Sequence, residues 1–278
     1  MAKDHGDRSL DDRIDALRVG EDEHLDLGER STDDDFGMSK DEAEERLADT
    51  RAAIDELQQR LYAEGTRSVL LVVQAMDAAG KDGTIRHVLT GLNPQGVQVS
   101  SFKAPAGAET QHDYLWRVHQ VVPRKGEIGV FNRSHYEDVL IVRVKGFAPE
   151  HVWKRRYEHI RHFEQLLTDE GTTVVKVFLH VSKDEQARRF QDRLDDPTKR
   201  WKFRKGDLDD RALWDDYQEA YRDAIAKTST RDCPWYVVPA DHNAARNMAV
   251  GEILRRTLER LDPKFPDPEE GLEGVKVV

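Results

Sequence analysis

Residues 68–84, SVLLVVQAMDAAGKDGT, constrain the fold more than any other stretch. Val69–Val73 is a continuous run of β-branched and leucine residues, the pattern of a strand covered on both faces. It runs into Ala78-Ala79-Gly80, a turn of residues small enough for backbone N–H groups to approach an anion, and then into a helix start. A helix N-terminus presents unsatisfied N–H groups and the positive end of its dipole. Lys81 adds a mobile charge for a phosphoryl oxygen. The segment approximates G-x-x-x-x-G-K-[ST]. Ala75 stands at the first glycine, and Asp82 stands where a Ser or Thr would hold magnesium. Asp77 lies inside the loop, where it can reach a metal through water. A plain strand-to-helix turn carrying an exposed lysine is the competing reading.

The chain has 278 residues, 38% of them hydrophobic, enough for one sizeable core. Its apolar runs fall well short of the ~20 residues a membrane-spanning helix needs, and the N-terminus lacks the apolar centre of a signal peptide. A single cysteine, Cys233, excludes an intrachain disulfide and a cysteine-clustered zinc site. These features point to a reducing cytoplasm. The net charge of −11 is unevenly placed: residues 1–50 hold 18 acidic and 7 basic residues, and the other 228 carry 36 of each sign. The acidity therefore belongs to the N-terminal stretch, and the neutral body is no barrier to a polyanionic ligand.

Residues 1–37 read as an acidic, loosely ordered leader. Ser39 and Glu42 form a capping box for a helix reaching about Gly65. After the first strand, a helix is expected from about Gly83 to Leu92, then strands at Val97–Phe102 and Ile128–Phe131 with a helix over Glu109–Val122 between them. Helices over Pro149–Glu170, from Ser182 to about Leu194, over Asp207–Lys227 and over Asn243–Leu261 alternate with strands at Thr172–Val181 and Trp235–Val238. This alternation predicts a parallel sheet flanked by helices. The organisation is a leader (1–37), one domain (38–262) with a lid at about 183–215, and a tail (263–278).

In such sheets ligands sit beyond the carboxyl ends of the strands. Asp77, Gly80 and Lys81 follow the first strand, and Asn132, Arg133 and Glu137 follow the third. An acid at a second strand end usually serves magnesium. Here Asn132 occupies that place, which makes Glu137 the nearest candidate, with Arg133 suited to a transferring phosphoryl oxygen. Asn132 as a helix cap and Glu137 as a surface acid are the alternatives. Residues 186–205 carry eight Lys or Arg against three Asp. They read either as a lid that clamps a polyanion, with Arg189 and Arg193 on one helical face, or as a solvated helix. No nucleic-acid reading motif accompanies them. His159 and His162 have no metal-site spacing and read as surface or packing residues, and His135 lies inside the third-strand motif.

Three segments, QAMDAAGKDGTIRHV, GVFNRSHYEDVLIVRV and RRFQDRLDDPTKRWKF, resemble in order and spacing those of the family-2 polyphosphate kinases. The resemblance covers roughly residues 40–262. It implies a P-loop kinase fold of the thymidylate-kinase type and phosphoryl exchange between inorganic polyphosphate and nucleotides. The cofactor would be Mg2+, with Mn2+ as a substitute, and no covalent enzyme intermediate would form. On these positions it implies Asp77 and Lys81 as metal and phosphate ligands, with Ala78, Ala79, Gly80, Asp82, Gly83 and Thr84 completing the cradle. Arg133 and Glu137 become a catalytic pair, Glu137 sharing the metal with Asp77. Arg189, Arg193 and Lys202 become lid cations, and Asp113 and Arg117 lie near the nucleotide beside Asn132. Asn132 with Glu137 resembles the subgroup accepting both AMP and ADP, with guanine nucleotides as further acceptors. A homo-oligomer, dimer or tetramer, is also implied. An ATP-dependent small-molecule kinase and a non-catalytic polyphosphate- or nucleotide-binding module are the rival readings.

Overall fold

A computed structural model of the chain describes residues 9–272 and 275–277; the first eight residues of the leader and three positions of the tail lie outside the described residues. A six-stranded sheet forms the centre, in the order β1-β6-β5-β2-β4-β3. The strands are β1 (Arg18–Val19), β2 (Ser68–Ala75), β3 (Val97–Ser101), β4 (Ile128–Asn132), β5 (Thr172–His180) and β6 (Trp235–Pro239). Every pairing is parallel except β1 with β6. β2 lies between β4 and β5 and is buried along its whole length. Its apolar run at Val69–Val73 therefore reflects two covered faces.

The helices are α1 (Leu10–Asp15), α2 (Lys40–Glu64), α3 (Lys81–Leu89), α4 (Trp116–His119), α5 (Ile141–Val144), α6 (Glu150–Asp169), α7 (Lys183–Asp195), α8 (Gly206–Ala212), α9 (Trp214–Thr228) and α10 (Asn243–Leu261). The capping box at Ser39 and Glu42 forms as expected, and Gly65 closes α2 in the left-handed conformation. α10 packs along α2 and α3, and its first turn follows directly from β6. The parallel strands place the starts of α3, α7 and α10 on one edge of the sheet.

Three expectations need correction. Residues 9–37 are not a loose leader: Ile14, Leu17, Val19, Leu25, Leu27 and Phe36 join the core. The Val237 N–H donates to the Leu17 carbonyl at 2.9 Å, which ties β1 to the sheet edge. The helix expected over Glu109–Val122 is broken. Asp113 accepts a hydrogen bond from the Leu115 N–H at 2.9 Å, a local turn that competes with helical pairing, and only Trp116–His119 remains α-helical. The helix expected over Asp207–Lys227 divides at Leu213 into α8 and α9. α8 is drawn toward the sheet edge by a Lys145–Asp210 ion pair of 2.6 Å and a bond of 2.6 Å from Arg211 to the Lys183 carbonyl.

Candidate active site at the carboxyl edge of the sheet

The loop after β2 is shaped by what holds its carbonyl groups. The Lys81 ammonium donates to the Ala75 carbonyl at 2.8 Å, and the Gln186 amide donates to that of Asp77 at 2.9 Å. Arg189 donates to the Ala78 and Ala79 carbonyls at 3.1 and 3.0 Å, and Arg246 also reaches Ala79 at 2.9 Å. With the carbonyls drawn back into the protein, the loop amides are left for the other side, apart from that of Ala79, which donates to the Met76 carbonyl at 3.3 Å. Ala78 at φ 61° and Gly80 at φ 103° make the reversals this requires. For Ala78 that conformation costs about 1–2 kcal/mol, a strain of the kind that concentrates at functional sites. Ala75 needs no such freedom, because it ends β2 in extended backbone and its methyl group replaces the usual glycine without strain.

α3 begins at once. Its first intrahelical bond runs from the Thr84 N–H to the Gly80 carbonyl at 2.9 Å, so the N–H groups of Lys81, Asp82 and Gly83 precede the helical ladder. These donors, the helix dipole and Lys81 form an anion cradle. Thr84 is buried beneath it, bonded to Asn247 at 3.0 Å and accepting from Arg246 at 2.7 Å. Asp82 accepts from the Asn132 amide at 2.7 Å, locking the start of α3 to the end of β4. Asn132 is thus a clasp between two strand ends and not a cap on the residues that follow it.

Arg133 turns the chain out of β4 with a left-handed φ of 61°, anchored by its own N–H on the Val73 carbonyl at 3.1 Å. Its guanidinium meets Asp77 at 3.0 Å. Asp77, Arg133 and Glu137 line one cavity of about 50 Å³ with Tyr217, Tyr221 and Asp207. Burial pushes Lys81 down to about 8, with Arg133 adding to the effect and Asp77, Glu137 and Asp82 opposing it. Burial also raises Glu137, against the pull of Arg133 and Lys81. Among the described residues no three His, Cys, Asp or Glu side chains form a metal cage. Asp77 and Glu137 do offer two carboxylates facing a phosphate cradle, a donor set suited to magnesium, which usually takes one or two carboxylates together with substrate phosphates and water.

The basic segment splits into separate roles. All five guanidinium N–H groups of Arg189 are spent, on Glu185 at 2.7 Å, on the Ala78 and Ala79 carbonyls, and on those of Ala240 and Asp241 at 2.7 and 2.9 Å. It is a strut under the loop and not a free lid cation. Arg193, one turn further on, packs over the Phe190 ring at 5.5 Å and, among the described residues, has no acidic partner. Lys202 lies over exposed Trp201 at 5.2 Å, in the turn Arg200–Lys202, and does not line the cavity. Arg117 reaches the Lys103 carbonyl at 2.7 Å and covers Phe102 beside the end of β3, with Asp113 shaping the preceding turn. These two lie at the carboxyl edge but do not line the cavity.

Several residues escaped the sequence reading. Asp207, Asp210 and Arg211 come from α8, and Tyr217 and Tyr221 from α9. Gln186 and Arg246 hold the loop from behind. Arg246 had one legible signal: a cation in the first turn of a helix opposes the helix dipole, an unfavourable placement that asks for a reason. Beneath Glu137 lies a second cluster. Lys176 in β5 meets Glu164 at 2.5 Å, and Glu164 accepts from the Tyr136 hydroxyl at 2.8 Å and faces His135 at 3.4 Å. His135 and Tyr136 belong to the segment that carries Arg133 and Glu137, so this network fixes that segment to the sheet.

Known proteins share this fold and sequence. A solved structure described as polyphosphate kinase 2 from Arthrobacter aurescens superposes with a TM-score of 0.88 at 45% identity, over 91% of each chain. An AMP/ADP-polyphosphate phosphotransferase of Meiothermus ruber is 56% identical over 94% of this chain and 98% of its own. An ADP-polyphosphate phosphotransferase of Rhodopseudomonas palustris is 48% identical over 90% of this chain and 91% of its own. Residues 37–266 match the family described as Polyphosphate kinase 2 (PPK2), and the chain belongs to that family of P-loop-fold phosphotransferases.

Proposed function

We propose that this enzyme moves the terminal phosphoryl group between inorganic polyphosphate and nucleoside mono- and diphosphates, converting AMP to ADP and ADP to ATP. The observation that carries the reading is the loop at 75–84. Its carbonyls are tied back and its helix-start amides stay outside the helical ladder, while Lys81 interacts electrostatically with Asp77, Arg133 and Glu137, which line the adjoining cavity. A polyphosphate chain is a regularly charged backbone, so a cationic cradle suits it without any sequence readout. The acceptor is an ionised phosphate oxygen, which removes the need for a strong general base. Catalysis then rests on in-line positioning and on charge neutralisation by Lys81, Arg133 and Arg193. Asp77 and Glu137 would hold Mg2+, or Mn2+ in its place, and the ion would neutralise charge on the transferring group.

A cavity of about 50 Å³ is too small for these substrates. In this reading α8 swings away to admit them, breaking the Lys145–Asp210 pair. Guanine nucleotides as further acceptors and a dimeric or tetrameric assembly belong to the same proposal and rest on the family resemblance, and a cytoplasmic location rests on the single cysteine and the lack of a signal-peptide core. Among the described residues no helix is long and apolar enough to cross a membrane.

Long-chain polyphosphate incubated with AMP or, separately, ADP tests the reading, with nucleotides resolved by anion-exchange chromatography. ADP and ATP from AMP, ATP from ADP, and loss of both on chelation of magnesium are expected. ATP from ADP alone would remove AMP as an acceptor. Phosphorylation that requires ATP as donor would favour a small-molecule kinase, and binding without turnover would favour a non-catalytic module.

A further inference from the structure

Arg246 sits where a guanidinium is hard to accommodate. It is 2% exposed and lies in the first turn of α10, at the positive end of the helix dipole. It shares the Ala79 carbonyl with a second guanidinium, that of Arg189. Its other partners are the Thr84 hydroxyl at 2.7 Å and the side-chain oxygens of Asn243 at 2.7 Å and Asn247 at 2.9 Å, all neutral. No carboxylate pairs with it among the described residues, whereas Arg189 has Glu185. A buried charge is ordinarily paired, because desolvation otherwise costs several kcal/mol per ion. Burial, with Arg189 adding to it, lowers the Arg246 pKa to about 9.

The direction of the group supplies the reason. A Cβ built on Gly80 would lie 2.3 Å from Arg246 Nη1, so the guanidinium rests directly against the back of the phosphate loop. The front of that loop is the anion cradle. We propose that Arg246 is a positioning residue for phosphoryl transfer: it draws the Ala79 carbonyl back so that the loop amides face the ligand, and the bound phosphate is its missing counter-charge. The proposal rests on reading residues 75–84 as the phosphate site. It separates two contributions, since the charge acts on phosphate affinity and the fork geometry acts on turnover. An arginine kept only to support the fold would show neither effect.

The test compares Arg246→Met and Arg246→Lys with wild type, by thermal denaturation with and without tripolyphosphate and by steady-state transfer from polyphosphate to ADP. The Met variant lacks the charge. It should keep an unliganded midpoint within a few degrees of wild type, lose more than half of the tripolyphosphate-induced shift, and raise KM for polyphosphate about tenfold or more. The Lys variant keeps the charge without the fork. Its KM should stay within about threefold of wild type while kcat falls about tenfold or more. A Met variant with a lower unliganded midpoint but an undiminished tripolyphosphate shift and KM would overturn the proposal. Should that variant not fold, a Lys variant with wild-type kcat would overturn it equally. Lys81→Ala is the control: an undiminished tripolyphosphate shift there would remove the phosphate-site reading itself.

Discussion

Substituting Lys176 tests how the catalytic segment is held. Lys176 and Glu164 are 0% and 2% exposed and 2.5 Å apart, and Lys176 also donates to the Thr228 carbonyl at 2.8 Å. Lys176→Met removes the cation and leaves the Glu164 carboxylate buried with only the Tyr136 hydroxyl and His135 as partners. Removing one partner of a buried ion pair costs about 3–5 kcal/mol. Unfolding entropy of about 2.1 cal/mol/K per residue amounts to about 0.6 kcal/mol/K over 278 residues. The midpoint by scanning calorimetry at pH 7 should therefore fall by about 5–9 °C. Burial raises the Glu164 pKa, but Lys176, helped by His135, more than offsets this and holds it below the usual carboxylate range. A depressed folded value means that the pair's stabilisation is complete above the unfolded value of about 4.3. It is lost as pH falls through the lower folded value, so the gap between variant and wild type should close in acid. The double variant Lys176→Met/Glu164→Leu should be more stable than the sum of the single changes by about 1.5 kcal/mol or more. A single-variant shift under about 2 °C, or strict additivity in the double variant, would refute the reasoning.

Three further outcomes follow from the site. Gly80→Ala places a Cβ 2.3 Å from Arg246 Nη1 at φ 103°, so transfer activity should fall about a hundredfold, by analogy with loss of one preorganised stabiliser; near-normal kcat would show the loop to be more pliant than drawn. Arg193→Ala should raise KM for polyphosphate while leaving the melting midpoint within about 1 °C, whereas Arg189→Ala should lower that midpoint by several degrees, because only Arg189 is built into the loop; equal midpoints would contradict the division. Lys81, held down to about 8, is cationic below that pH and becomes neutral above it, so polyphosphate affinity measured by titration calorimetry should weaken as pH rises through 8; a flat profile from pH 7 to 9 would deny Lys81 that role.

The sequence carried those parts of the structure whose causes are local. The α2 capping box, the buried run of β2 and the limits of α10 were readable because cap chemistry and apolar periodicity act over a few residues. β1 was not: two residues pair with a strand more than 200 positions away, and the apolar residues that anchor 9–37 follow no period. The break at Asp113 shows a side-chain turn overriding helical spacing. Within the site, Asp77, Lys81, Arg133 and Glu137 were legible because they flank strand ends in recognisable segments, and one cavity collects three of them with Lys81 alongside. The role of Arg189 was not legible, since charge alone does not distinguish a lid cation from a strut whose acceptors, at 78–79 and 240–241, are distant in sequence. Asp207 and Asp210 were hidden for a related reason. They enter the cavity only because α8 is pulled inward by contacts to Lys145 and Lys183.

The central claim is that the cradle at 75–84 handles the phosphate that is transferred, with Lys81 as its charge. The most direct measurement is the rate of ATP formation from polyphosphate and ADP in magnesium by wild type and Lys81→Ala, with the melting midpoint of each as a check on folding. Loss of about a hundredfold or more in kcat/KM at an unchanged midpoint is the predicted result. A folded Lys81→Ala enzyme turning over at the wild-type rate would contradict the account.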